Sequence, residues 1–232
     1  MVKIIADTTS SIPVSEAARL GIAYLPQIII FGDESFRDDI EIDTPTFLHK
    51  LRSSSSLPKT AAPPPALYHP IYQACADKRE AMVVLCPSAV VSGTFRSATV
   101  AAQDFPDAEI HIIDTKTVGS GLGTLVTQAV GWANEGMDAA TIEKNIQAMA
   151  ERQRIYFLVD TLEYLHKGGR IGGAQALLGS LLQVKPILTL LNGRAEAAES
   201  QRTKKRALQR LYEIVMAQYP TNGQGFITVM HG

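Results

Sequence analysis

The loop and helix start that follow the apolar run Met82 to Cys86 carry the residues best suited to chemistry. Ser92 and Thr94 are small hydroxyl residues on either side of Gly93, where the pattern changes from strand to helix. The first N–H groups of a helix lack helical partners and carry partial positive charge, so this position can seat an anion. Simple capping of the helix by Ser92 explains the same pattern, and the residues alone leave both interpretations open.

Covalent and phosphoryl-transfer chemistry find little support in the sequence. A nucleophilic serine needs a base held by a third group, and the string Val91-Ser92-Gly93 is not the G-x-S-x-G elbow. The chain lacks G-x-x-x-x-G-K-[ST] and the Gly-rich loop of dinucleotide binders. The glycines of "VGSGLG" at 118–123 instead favour close packing of a helix start against a sheet. We therefore predict no catalytic residue.

Metal and cofactor sites are not predicted either. The acidic residues between 33 and 43 could hold a hard cation, but their irregular spacing around a turn is typical of a solvated face. The five histidines form no H-x-x-x-H pair, and Cys75 and Cys86 form no C-x-x-C. Two thiols without such a pattern favour a reducing compartment.

Two groups of cations form a second set of candidate residues. In "LHKGGRIGG", Gly168 and Gly169 can end a helix and leave Lys167 and Arg170 on an exposed corner. The start of a later helix carries the further cations Arg202, Lys204 and Lys205. The helix dipole disfavours cations at that end, so they can offer charge to a docking partner. An ordinary solvated basic face accounts for them equally well.

Composition indicates a globular, cytoplasmic protein. The chain has 232 residues, of which 46% are hydrophobic and 19% charged, and a formal net charge of −1. That balance argues against a dedicated nucleic-acid surface. The N-terminal apolar run is too short for a secretory signal, and polar residues interrupt the most apolar stretch, so no membrane span is predicted.

Short apolar runs alternate with helical patterns through the first two thirds of the chain. This alternation predicts an N-terminal, mostly parallel α/β sandwich domain over residues 1–153. The segment 52–66 holds four serines and four prolines, and its composition alone favours a surface linker. Residues 154–232 read as an α+β domain with a mixed or antiparallel sheet, a hairpin around Asn192-Gly193 and a final strand in "GFITVMHG".

Several blocks of the sequence resemble the DegV family, in the family's order along the chain. They are "ADTTSSIP", "PKTAAPPP", "SGTFRSA", "IIDTKTVGSGLG", "DTLEYLHKGGRIGG", "LLQVKPIL" and "GRAEAAESQRTKKRAL". The resemblance covers essentially the entire chain and implies a carrier that catalyses nothing itself. Such a carrier holds one long-chain fatty acid, such as palmitate or oleate, in an apolar tunnel between two domains. It presents the carboxylate to a partner fatty acid kinase, which makes the acyl phosphate used as a phospholipid precursor.

The same resemblance assigns roles to individual residues. It implies that Thr60 and Ser92 bind the carboxylate, supported by Gly93, Thr94 and Ser10. The segment 52–66, whose composition favours a linker, is then expected to form half of the binding site. The cations Lys167, Arg170, Arg202, Lys204 and Lys205 are then expected to dock the kinase. Where the family usually continues with Ser-Gln-Pro-Ser, this chain has Ala-Ala-Pro-Pro at 61–64, so a thinner polar network is expected. Family members usually continue past the last strand, so the second domain is expected to be truncated.

Other functions remain open at this point. Fold-level resemblance extends to the substrate domains of dihydroxyacetone kinases, so a small-molecule substrate-binding domain is an alternative. A pure interaction module that uses the basic residues is a third, and a transient contact with a membrane surface is compatible with the carrier.

Overall fold

The computed structural model describes residues 1–179, 184–223 and 225–231, which divide into two units, Met1–Arg152 and Gln153–Gly232. Elements of the first unit are β1 Val2–Asp7, α1 Val14–Arg19, β2 Ala23–Leu25, β3 Ile28–Phe31, β4 Glu34–Arg37, α2 Thr44–Ser53, β5 Lys59–Ala61, α3 Pro65–Asp77, β6 Ala81–Cys86, α4 Thr94–Ala102, β7 Ile110–Asp114, α5 Ser120–Asn134 and α6 Ala139–Arg152. Those of the second are β8 Tyr156–Leu158, α7 Glu163–Lys167, β9 Lys185–Leu191, β10 Arg194–Gln201 and α8 Lys204–Gln218. Short 3₁₀ segments cover Thr8–Ser10 and Gly172–Leu177.

A four-stranded parallel sheet in the order β2-β1-β6-β7 is the centre of the first unit. Successive side chains of a strand point to opposite faces, and both faces of this sheet are covered by helices. Along β1, Ile4 packs with the α5 and α6 residues Leu122 and Ile142 on one face. Ile5 packs with Tyr68 of α3 on the other. The predicted α/β sandwich is therefore confirmed.

The carboxyl ends of these parallel strands meet at one edge of the sheet. The chain leaves β1 through the 3₁₀ turn Thr8–Ser10, and α5 packs directly against this turn. The backbone N–H of Gly119, just before α5, donates to the Thr9 carbonyl at 2.8 Å. Gly123 lies so close that an added Cβ would be 2.5 Å from the Ser10 carbonyl oxygen. The glycines of "VGSGLG" thus pack a helix against the sheet edge, as predicted.

A second, antiparallel sheet in the first unit has the order β4-β3-β5. Pro26 lies between β2 and β3, so the apolar run 22–31 contributes one strand to each of two different sheets. In β5, Thr60 pairs with Ile29 of β3. The linker suggested by the composition of 52–66 is therefore wrong for 59–61, because a three-residue strand takes its hydrogen bonds from β3 and needs no core of its own.

The second unit contains an antiparallel sheet in the order β10-β9-β8. The predicted hairpin is confirmed, because Asn192 and Gly193, with φ of 50° and 80°, connect β9 to β10. Helix α8 packs on this sheet through Ala207 and Ile214, which contact Ile187. The antiparallel sheet predicted for the C-terminal region is confirmed.

Two secondary-structure predictions for this unit differ from the structure. Residues 225–231, predicted as a final strand, are not in a strand, because no strand among the described residues pairs with them. The apolar pattern of "AQALLGSLLQ" (174–183) predicts a helix, whereas the structure has the 3₁₀ segment Gly172–Leu177. Residues 180–183 of that prediction lie outside the described residues.

Candidate functional site

The hydroxyls of Ser92 and Thr94 lie together at the start of α4. The Ser92 Oγ is 3.0 Å from the Thr94 Oγ1 and accepts a hydrogen bond from the Thr94 backbone N–H at 3.3 Å. Thr94 is buried, Ser92 is half-buried and Gly93 is exposed. The Ser92 oxygen accepts from the backbone and keeps its own proton, which can be donated to the Thr94 Oγ1 or to a ligand. The site therefore combines a serine hydroxyl with the amino end of a helix.

The strand that carries Thr60 lies beside this loop. A Cβ added to Gly93 would be 3.5 Å from the Cβ of Ala62, which is ordinary van der Waals contact. Ala62 follows β5 directly, and Thr60 is exposed on that strand. The structure thus makes neighbours of two segments that are about thirty residues apart in sequence.

A buried carboxylate, Asp7 at the end of β1, anchors a polar network behind Ser92. Its Oδ1 accepts from the Thr9 backbone N–H at 2.8 Å and from the Thr9 hydroxyl. Its Oδ2 accepts from the Gln27 Nε2 at 2.9 Å, and the same nitrogen donates to the Thr94 Oγ1 at 3.2 Å. Asp7 is thereby connected to Ser92 through Gln27 and Thr94.

A second carboxylate, Asp38, holds the backbone of Gln27. Its Oδ1 accepts from the Gln27 N–H at 2.8 Å, and the Thr8 hydroxyl donates to its Oδ2 at 2.7 Å. The segment between β2 and β3 is therefore tied to the turn that follows β1.

Burial sets the electrostatics of both carboxylates. Burial raises the pKa of Asp7, although hydrogen bonds from Thr9, Thr94 and Gln27 oppose the rise. Burial likewise raises the pKa of Asp38, opposed by hydrogen bonds from Thr8 and Gln27 and assisted slightly by the negative charges of Asp39 and Asp7. The hydrogen bonds donated to Asp7 and Asp38 thus offset part of the cost of burying their charges.

Ser10, predicted to support the site, is buried beneath it. Its hydroxyl donates to the Asp7 carbonyl at 2.8 Å and lies 3.0 Å from the Tyr24 hydroxyl. The Tyr24 hydroxyl donates to the Ile12 carbonyl at 2.8 Å, and burial raises the pKa of Tyr24. These contacts fix the turn after β1, so Ser10 acts on the site through Asp7.

The predicted docking residues all belong to the second unit. Lys167 pairs with Glu163 within α7, and Lys204 pairs with Asp160 at 2.9 Å. The α7 helix ends as predicted, with Gly169 at a φ of 74°. Arg170, Arg202 and Lys205 are exposed. The structure therefore holds Lys167 and Lys204 with different acidic partners.

Sequence reasoning missed three residues of this network, Asp7, Gln27 and Asp38. Asp7 could have been found, because it ends a buried strand whose carboxyl end must meet that of β6. Asp38 was visible only as one of several acids around a turn. Gln27 follows a proline in an apolar run, and no pattern distinguishes it.

Over residues 1–179, 184–223 and 225–231, no group of three His, Cys, Asp or Glu side chains is placed to hold a metal ion. Within the same ranges, none of the helices combines the length and the apolar character needed to cross a bilayer.

Comparison with known proteins extends over nearly the whole chain. The model of the DegV family matches residues 1–232. A DegV domain-containing protein of Streptomyces coelicolor is 36% identical over 217 residues, which is 92% of this chain and 75% of the relative.

Solved structures are similar in fold. A DegV-family protein from Thermus thermophilus, described as binding fatty acid, superposes with a TM-score of 0.87 at 33% identity, over 94% of this chain and 77% of that one. DegV of Bacillus subtilis, described as a fatty acid binding protein, gives a TM-score of 0.85 at 30% identity, with 93% and 77% covered. The family model and the relatives agree over nearly the whole sequence, and the chain belongs to the DegV family.

Proposed function

We propose that this chain binds one long-chain fatty acid in an apolar tunnel and holds its carboxylate with Ser92 and Thr60. It then presents the carboxylate to a partner fatty acid kinase, which docks on exposed cations such as Arg170 and Lys205, and it catalyses no reaction itself. The observation that carries the proposal is the contact distance of 3.5 Å between Ala62 and a Cβ placed on Gly93, which makes the two hydroxyl-bearing segments neighbours. The fatty acids bound by the Thermus and Bacillus relatives support this class of ligand.

The chemistry of the hydroxyls favours binding over catalysis. The Ser92 hydroxyl contacts a threonine hydroxyl and a backbone N–H, neither of which is a base that could activate it. A hydroxyl that accepts from the backbone can donate its own proton to a carboxylate oxygen. Ser92 is therefore suited to orient an anion.

Affinity and orientation come from different parts of the ligand. Burial of each methylene gains about 0.8 kcal/mol, so an acyl chain of about sixteen carbons gains roughly 11 kcal/mol before ordering costs. A hydrogen bond to a charged carboxylate adds about 1.5–3 kcal/mol. The tail therefore supplies most of the affinity, and Ser92 and Thr60 place the head group.

Lipid analysis of the purified protein tests this proposal. Protein expressed in a bacterial host should release about one long-chain fatty acid per chain on solvent extraction, as measured by mass spectrometry. The loaded protein should yield acyl phosphate only when a fatty acid kinase and ATP are added. Purified protein that contains no fatty acid and also binds neither added palmitate nor added oleate would contradict the proposal.

Substitution of the two hydroxyls tests the position of the head group. Ser92→Ala combined with Thr60→Val should lower palmitate affinity by roughly 10- to 100-fold per hydroxyl at most. Acyl-phosphate formation should fall further, because the carboxylate is no longer held in one orientation. Thr99→Ala is the matched control, since the Thr99 hydroxyl donates to the Phe95 carbonyl within the same helix.

A further inference from the structure

The side-chain amide of Gln27 lies at the centre of the network behind Ser92. Its Nε2 donates to the Asp7 Oδ2 at 2.9 Å and to the Thr94 Oγ1 at 3.2 Å. An ionised carboxylate has no proton to donate, so the Gln27 atom that faces Asp7 must be the nitrogen. The second proton of that nitrogen then faces Thr94. Asp7 thus fixes the orientation of the amide.

This orientation has consequences for the Ser92 hydroxyl. Because Gln27 donates to the Thr94 side chain, it holds the first residue of α4 in place. The Thr94 backbone N–H in turn donates to the Ser92 Oγ at 3.3 Å. The Ser92 oxygen is an acceptor at this contact, and its own proton can be donated either to the Thr94 Oγ1 at 3.0 Å or to a ligand.

The backbone of Gln27 fixes the other half of the site. Its N–H donates to the Asp38 Oδ1 at 2.8 Å and lies 3.1 Å from the Thr8 Oγ1. The next residue begins β3, and Ile29 of that strand pairs with Thr60. The backbone of Gln27 is therefore connected to Thr60 through residues 28 and 29 and the pairing of Ile29 with Thr60.

We propose that Gln27 is a positioning residue that sets both the direction of the Ser92 hydroxyl and the spacing between Ser92 and Thr60, and so selects an ionised head group. This inference rests on the proposed function. Alanines occupy positions 61 and 62, directly after Thr60, so these two positions bring no side-chain donor to the site. Gln27 supplies an amide donor that acts on the site through Thr94.

The test compares two ligands that share a tail and differ in the head group, palmitate and methyl palmitate. Gln27→Met keeps the length of the side chain and removes both donated hydrogen bonds. The preference for palmitate over the ester should fall about tenfold, while affinity for the ester stays within about twofold. An unchanged preference would overturn the proposal. An equal loss of affinity for both ligands would also overturn it, because general damage to the fold affects the tail as well.

A charge-conserving exchange separates positioning from stability. Asp7→Asn alone places an amide nitrogen against the Gln27 nitrogen and should lower the thermal midpoint. Asp7→Asn combined with Gln27→Glu restores one donor and one acceptor, so the midpoint should recover. The preference for palmitate should stay low, because the new glutamate accepts from Thr94 and cannot donate to it. Recovery of the preference together with the midpoint would show a purely structural role and overturn the proposal.

Controls distinguish failure of this inference from failure of the proposed function. Gln73→Met removes a similar bond, from the Gln73 Nε2 to the Asp77 Oδ1 at 2.7 Å on the surface of α3, and should leave the preference unchanged. If the unmodified chain binds neither ligand, the proposed function fails and the role of Gln27 fails with it. If the unmodified chain and the Gln27→Met variant prefer palmitate over the ester equally, the proposed function stands and only the role of Gln27 fails.

Discussion

Gly123 in α5 shows how closely a single residue can control the site. Its position leaves no room for a side chain, because an added Cβ would lie 2.5 Å from the Ser10 carbonyl oxygen. That oxygen belongs to the turn after β1, in which Thr9 donates to Asp7. A methyl group here must move backbone atoms, which cannot rotate away as a side chain can.

Gly123→Ala should therefore lower the free energy of unfolding of the first unit by about 1–3 kcal/mol. Urea unfolding followed by far-UV circular dichroism and by the fluorescence of Trp132 measures it. Gly131→Ala in the same helix is the matched control, since among the described residues no atom outside the helix's own backbone and the two chain neighbours lies within 4 Å of the added Cβ. It should raise the free energy of unfolding by about 0.5–1 kcal/mol, because alanine favours a helix. Equal effects of the two substitutions would contradict the packing argument.

Residues of the candidate site differ in how visible they are in the sequence. Ser92 and Thr94 could be predicted, because small hydroxyl residues at the end of an apolar run mark the start of a helix. Gln27 could not, because its hydrogen bonds are made to two carboxylates, Asp7 and Asp38, from distant segments. Local patterns report caps and turns, whereas a network between segments depends on the tertiary fold.

Among the elements, β7 and α6 are connected by a histidine between two acids. The Nδ1 of His111 lies 2.6 Å from the Glu143 Oε2, and its Nε2 lies 3.2 Å from the Glu109 Oε1. Burial lowers the pKa of His111, but the hydrogen bonds and negative charges of Glu143 and Glu109 outweigh it and raise this pKa above 6.5. The protonated ring therefore stabilises the packing of α6 on the sheet.

This pKa shift predicts a pH dependence with a definite sign. A raised pKa in the folded state contributes stability that is complete below about pH 6.5 and is lost as the pH rises through the raised value. His111→Gln should therefore lower the thermal midpoint more at pH 6 than at pH 9. The difference should shrink in a Glu143→Gln background. A midpoint difference that does not change with pH would contradict this account.

Strand β5 shows the limit of prediction for elements. Its residues Lys59–Ala61 are exposed, so they carry no hydrophobic pattern. The strand forms because β3 offers a free edge beside it. Buried strands such as β1 and β6 could be predicted from their apolar runs alone, because burial on both faces demands them.

For the whole molecule, the two units have separate hydrophobic cores. The clusters on the two faces of the parallel sheet consist of residues between 2 and 150. The clusters of the second unit consist of residues between 156 and 214. The change from alternating strands and helices to a hairpin near residue 153 predicts a domain boundary there. The independence of the two parts in folding stays a prediction.

A fragment of residues 1–152 should therefore fold alone and unfold cooperatively, as measured by circular dichroism and by dispersion of its amide NMR signals. The reason is that both faces of its sheet remain covered. A fragment of residues 1–134 is the matched control. It lacks α6, whose Ile142 and Ile146 are fully buried, and should be far less stable. A disordered 1–152 fragment would show that the second unit is required for folding.

The thiol of Cys86 is fully buried in the first unit, and this burial limits its reactivity. Burial, together with the negative charges of Asp7 and Asp114, raises the pKa of this thiol, so it stays protonated, and its side chain is fully covered by the sheet and α3. Only a thiolate is readily oxidised or alkylated. Damage to Cys86 is consequently limited by how often the sheet opens and not by how strong the oxidant is.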